Sequence, residues 1–156
     1  MHDSPYLETQ TLQRPFADQE RTVRVWESAR PPKAIILGIH GGLSHSGDYA
    51  TVGNYFRQQN VTTISFDLNG HGQKPRIDIS GFSVLIDDTV QMLDWVLARY
   101  PALPVFLMGH SMGALIATHL ELSGTLRSPA MNQQIRGVIL SSPYYANDLA
   151  PEKWIP

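Results

Sequence analysis

Residues 103–120 read LPVFLMGHSMGALIATHL, and the rest of the chain is interpreted outward from them. Val105, Phe106, Leu107 and Met108 form an apolar run with the length and composition of a buried strand. Gly109-His110-Ser111-Met112-Gly113 interrupts that run, and an Ala/Leu-rich segment with helical spacing follows. The spacing predicts a strand, a tight turn with Ser111 at its tip, and a helix. The turn fits the G-x-S-x-G pattern of a nucleophile elbow, where strand and helix backbones crowd and the positions two before and two after the serine must be small. Gly109 and Gly113 fill those positions. A serine presented in this way is placed to act as a nucleophile, and it then needs a base.

On the N-terminal side, YLETQTLQ (6–13) and RTVRVWES (21–28) alternate well enough for an antiparallel pair. KAIILGIH (33–40) and VTTISFDL (61–68) are short apolar runs of the kind parallel strands show when both faces are covered. Between them YATVGNYFRQQN (49–60) has helical spacing. Phe82, Leu85 or Ile86, Val90, Leu93, Val96 or Leu97 and Tyr100 make one apolar stripe over 82–100. Asp87 and Asp88 near the start and Arg99 near the end suit the helix dipole, and Pro101 stops the helix. RGVILSSP (136–143) is a further strand. Alternation from residue 34 to residue 142 predicts an α/β fold, a mostly parallel sheet with helices on both faces and right-handed crossovers.

In such sheets reactive groups gather beyond the carboxyl ends of the strands. His40-Gly41-Gly42, Asp67 to Gly72, Gly109-His110-Ser111 and Ser141-Ser142-Pro143 would share that edge. Acyl transfer needs two backbone N–H groups aimed at the developing oxyanion. Met112, the residue after the nucleophile, is the expected first donor. Gly42, in the loop after the first parallel strand, is the expected second.

Composition narrows the alternatives. The 156 residues suit one domain, with 42% hydrophobic and 17% charged residues. A net charge of −2 gives no sign of a nucleic-acid partner. Zero cysteines exclude disulfides, thiolate metal sites and a cysteine nucleophile. MHDSPYLETQ lacks the basic and apolar regions of a signal peptide, and the expected location is cytoplasmic. His40, His45, His71 and His110 show neither H-E-x-x-H nor H-x-H spacing, so no metal site is expected.

His40-Gly41-Gly42 with His45-Ser46-Gly47-Asp48-Tyr49, Gly70-His71-Gly72, and Leu103 to Gly113 together resemble the α/β-hydrolase superfamily. Within it the chain is similar to the monoacylglycerol lipase and lysophospholipase group, the serine-aminopeptidase-like hydrolases. The resemblance covers residues 7–145 and corresponds to the N-terminal half of the fold, lacking the lid and the last strands. It implies Ser111 as nucleophile, the Gly42 and Met112 amides as oxyanion hole, and hydrolysis of an acyl glycerol or lysophospholipid ester without a cofactor. It also implies structural roles for the four histidines around the elbow. The chain departs from the group at Ser44, usually glutamate, and at Lys74, commonly serine; both bear on substrate identity.

The triad order in this fold is Ser, then Asp or Glu, then His. Downstream of Ser111 the sequence holds one histidine, His119, eight residues along the elbow helix and about 12 Å away at 1.5 Å per residue. That is too far for a base. Asp148 follows the last strand and could imitate the acid of relatives that place it there. The resemblance instead starts the lid at this point, which divides the chain into a core part (1–145) and the start of a lid or tail (146–156). The acid and histidine are therefore expected from sequence outside this chain. RGVILSSP, apolar on both faces, would otherwise stand as a bare sheet edge. A chain nicked in the lid with its C-terminal fragment still bound, or a shortened chain, is preferred over a true short variant.

The expected function is a serine esterase of lipid-like carboxylic esters, with a small-molecule ester as substrate and room for a peripheral membrane contact. Two rivals stand beside it. One is an inactive module that keeps the pocket to bind a ligand or partner. The other is an acyltransferase using the same residues with an alcohol acceptor.

Overall fold

The computed structural model describes residues 8–13, 20–72, 81–129, 131 and 133–144. Six strands build one sheet: β1 (Glu8–Gln13), β2 (Glu20–Trp26), β3 (Ala34–Ile39), β4 (Val61–Phe66), β5 (Val105–His110) and β6 (Ile135–Ser141). Their order is β1-β2-β4-β3-β5-β6. β1, β2 and β4 pair antiparallel, while β4, β3, β5 and β6 run parallel. The sheet is thus mixed and mostly parallel, as the alternation implied. Among the described residues three α-helices connect the strands: α1 (Ala50–Arg57), α2 (Phe82–Arg99) and α3 (Met112–Leu122).

Period-two alternation on β3 divides the core. Ile35, Leu37 and Ile39 pack with Leu85, Met92, Leu93 and Val96 of α2 and with Ile116, Ala117 and Leu120 of α3. Ala34 and Ile36 face the other way, toward Val61, Phe56 of α1, Phe106 and Met108. Helices therefore cover both faces. Each fully buried Ile or Leu contributes about 1.5–3 kcal/mol, so β3, buried along its whole length, is the rigid base from which the site loops depart.

The α2 stripe is rotated from the one its sequence suggests. Phe82 is 36% exposed, and its ring meets His119 edge-on with centroids 6.3 Å apart. Asp88 and Thr89 are buried instead. The Asp88 carboxylate accepts the Asn69 N–H at 2.7 Å and lies 3.3 Å from the Arg21 guanidinium. It ties the helix to the loop after β4, a role that helix-dipole reasoning did not supply. The Thr89 hydroxyl returns its proton to the Leu85 carbonyl at 2.9 Å, which satisfies its own buried donor.

β6 forms one edge of the sheet, with Ile139 and Leu140 about two-fifths exposed. No helix among the described residues is long and apolar enough to cross a membrane. Lys74, Asp148 and the boundary at 145/146 lie outside the described residues.

Candidate active site

The elbow forms because two glycines let three backbones meet. A β-carbon on Gly109 would strike the Gly113 carbonyl, and one on Gly113 would strike the Ile39 carbonyl and lie 2.7 Å from that of His40. All three carbonyls are main chain, so none gives way as the end of a flexible side chain would. Between these contacts β5 turns into α3 at Ser111, whose φ of 52° and ψ of −115° are unusual for a residue with a β-carbon. Such strain costs on the order of 1–3 kcal/mol and persists only where surrounding bonds enforce it. Here the Ser111 N–H donates to the Ser141 carbonyl at 3.0 Å, and its carbonyl accepts from Ala114 at 3.0 Å and Leu115 at 3.2 Å. The helical ladder closes on Ser111, so the N–H of Met112, the first residue of α3, has no acceptor within it.

Facing the elbow is the loop after β3. A β-carbon on Gly41 would sit 3.3 Å from Ser111 Cβ, and one on Gly42 would sit 3.9 Å from Met112 Sδ. The structure thus brings His40, Gly41, Gly42, Gly109, His110, Ser111, Met112 and Gly113 into one cluster at the carboxyl edge of the sheet.

His40 orders this cluster. It is 1% exposed, with Nδ1 2.7 Å from the Gly41 carbonyl and Nε2 accepting the Leu68 N–H at 3.0 Å. A carbonyl only accepts, so Nδ1 carries the proton and the ring is neutral. Burial pushes its pKa down to about 4, against a smaller upward pull from the Gly41 carbonyl. The Gly41 carbonyl and Gly42 N–H belong to one trans peptide and point in opposite directions. Holding the carbonyl back on His40 turns the Gly42 N–H the other way.

The rest of the loop is anchored from below. Asp67 at the end of β4 accepts the Ser46 N–H at 2.8 Å and the Ser46 hydroxyl at 2.6 Å, with the Arg24 guanidinium 3.6 Å away. The Tyr49 hydroxyl shares its proton between the Met108 carbonyl at 2.6 Å and that of Ile39 at 3.0 Å. Sequence reading assigned neither residue a role. The one available signal for Asp67 was an acid ending an otherwise apolar strand.

The described histidines are engaged elsewhere than at the Ser111 hydroxyl. His45 Nδ1 accepts the Gly47 N–H at 2.9 Å, and His71 Nδ1 bonds the Asn69 carbonyl at 2.8 Å. His110 Nδ1 lies 3.3 Å from Ser141 Oγ, and His119 packs on Phe82. Among the described residues no group of three or more His, Asp or Glu side chains is arranged to hold a metal ion.

A mostly parallel sheet carrying a strand, a strained serine turn and a helix, with a glycine loop opposite, is the α/β-hydrolase fold. The chain belongs to the family described as serine aminopeptidase, S33, which matches residues 30–155. It is 40% identical to human monoglyceride lipase over 96 residues, which are 60% of this chain and 32% of that protein. Phospholipase YtpA of Bacillus subtilis is 37% identical over 120 residues, 76% of this chain and 43% of that one. Among solved structures, a soluble variant of monoglyceride lipase from Saccharomyces cerevisiae, in complex with a substrate analog, aligns with a TM-score of 0.77 at 20% identity. That alignment covers 92% of this chain and 49% of that one, a likeness of fold. The chain thus spans about a third to two-fifths of the length of these curated relatives.

Proposed function

We propose that this chain carries the nucleophile and the oxyanion-binding groups of a serine hydrolase acting on lipid esters of monoacylglycerol or lysophospholipid type. Ser111 Oγ attacks the ester carbonyl while a histidine takes its proton. The Met112 and Gly42 N–H groups receive the developing oxyanion. Collapse expels the alcohol, protonated by the same histidine, and leaves an acyl group on Ser111 that water then removes. The histidine and its orienting acid come from residues outside this chain, held against it in the complete protein.

The observation that carries this reading is the strained Ser111 turned toward Gly41-Gly42, with the Gly41 carbonyl drawn away by His40. The relatives named as monoglyceride lipase and phospholipase support a lipid-ester substrate class. The test is fatty-acid release from a monoacylglycerol by the full-length protein. Wild type should turn over, and Ser111→Ala should lose on the order of 10⁴-fold or more in kcat. Turnover that survives Ser111→Ala contradicts the assignment, and a wild type that binds the lipid without cleaving it favours a binding module.

A further inference from the structure

We propose that Leu43 is a specificity-determining residue of this site, its side chain lying against the hydrocarbon of the substrate's acyl group. The inference rests on the lipid-ester reading above.

Five described residues other than glycine have positive φ: Leu43 (62°), Asn60 (59°), Ala102 (67°), Ser111 (52°) and Ser142 (45°). Asn60 and Ala102 lie at the opposite edge of the sheet, in the turns that lead into β4 and β5. Asparagine tolerates the left-handed region through its short polar side chain, and alanine is the smallest side chain forced into it. The remaining three follow β3, β5 and β6 at the carboxyl edge. Leu43 stands out among them as a bulky apolar residue in a conformation that glycine adopts without penalty. It is also 75% exposed, so little of its side chain is buried in the described fold. Little burial among the described residues offsets that strain.

Hydrogen bonds hold the loop on both sides of Leu43. Before it, the Gly41 carbonyl is fixed by His40 at 2.7 Å. After it, the Ser44 hydroxyl bonds the Asp48 carboxylate, the Gly47 N–H donates to His45 at 2.9 Å, and Ser46 is held twice by Asp67. Leu43 directly follows Gly42 and is two Cα steps, at most about 7.6 Å, from Gly41, which itself packs on Ser111. A strained, exposed leucine two residues along the loop from the glycine that packs on Ser111 fits a contact completed when hydrocarbon arrives. In esters of glycerol-like alcohols the leaving group is polar and the hydrocarbon belongs to the acyl group. That assigns the contact to the acyl side.

The experiment compares p-nitrophenyl acetate with p-nitrophenyl laurate in the full-length protein, so that the leaving group is constant. The quantity read is the ratio of kcat/KM for laurate over acetate. Leu43→Gly and Leu43→Asn both relieve the backbone and remove the hydrocarbon, while Leu43→Met keeps unbranched apolar volume. The ratio should fall about ten-fold in the first two, equivalent to 1.4 kcal/mol, and stay within about three-fold in the methionine variant. Leu43→Gly should melt at or above the wild-type temperature. A ratio unchanged in Leu43→Gly overturns the inference, as does discrimination that appears only along a series of acetate esters of longer alcohols. A wild type that cleaves neither ester overturns the esterase reading and this inference with it. An active wild type with an unchanged ratio overturns this inference alone.

Discussion

His40 shows how one buried side chain can couple stability to the geometry of a site. Its ring is neutral, donating to Gly41 and accepting from Leu68, and a second proton on Nε2 would meet the Leu68 N–H head-on. Its pKa is about 4 in the folded chain against the ordinary 6.5. The folded state therefore binds fewer protons than the unfolded state between these values. Stability from this group is fully present above about pH 6.5 and is lost as the pH falls toward 4. The gap corresponds to about 3 kcal/mol. His40→Asn keeps a donor for Gly41 and removes the titration. Urea unfolding at several pH values should show the stability difference between wild type and His40→Asn shrinking by about that amount from pH 7 to pH 4. A difference that stays constant with pH would mean that His40 is not held neutral as described.

At the scale of elements, the strand-elbow-helix unit depends on close backbone approach more than on side chains. Gly113 abuts the main chain at the end of β3, so Gly113→Ala has no flexible atom to displace and must push β3, α3 or the elbow apart. Overpacking of this kind costs about 1–3 kcal/mol, and the displacement falls on the peptides nearest Ser111. The variant should unfold at lower urea concentration and lose far more activity than its stability loss explains. An active variant of wild-type stability would show that the elbow is looser than these contacts imply.

The elements themselves were largely legible in the sequence. The apolar runs at 33–40, 61–68 and 105–108 and the glycine spacing of 109–113 carry the strand positions and the elbow, because burial on both faces and backbone crowding each leave a compositional mark. The orientation of α2 was not legible, because Asp88 faces inward to Arg21 and Asn69, partners from distant segments that no local periodicity reveals, and Thr89 is buried beside it on its own Leu85 carbonyl.

For the molecule as a whole, the same limit explains what was missed around the site. Arg24, Ser46 and Asp67 meet across three separate segments, and only the strand order β2-β4-β3 places those segments together. That Ser111, Gly42 and Met112 come together was legible because their positions follow from a local motif and a sheet edge. The central claim is that Ser111 is an activated nucleophile in the assembled protein, although no described histidine bonds its hydroxyl. The most direct test is intact mass of the full-length protein under denaturing conditions before and after a fluorophosphonate probe, followed by peptide mapping. One adduct on Ser111, absent in Ser111→Ala, is the predicted result. A protein that takes no label, or takes it on another residue, would contradict the account.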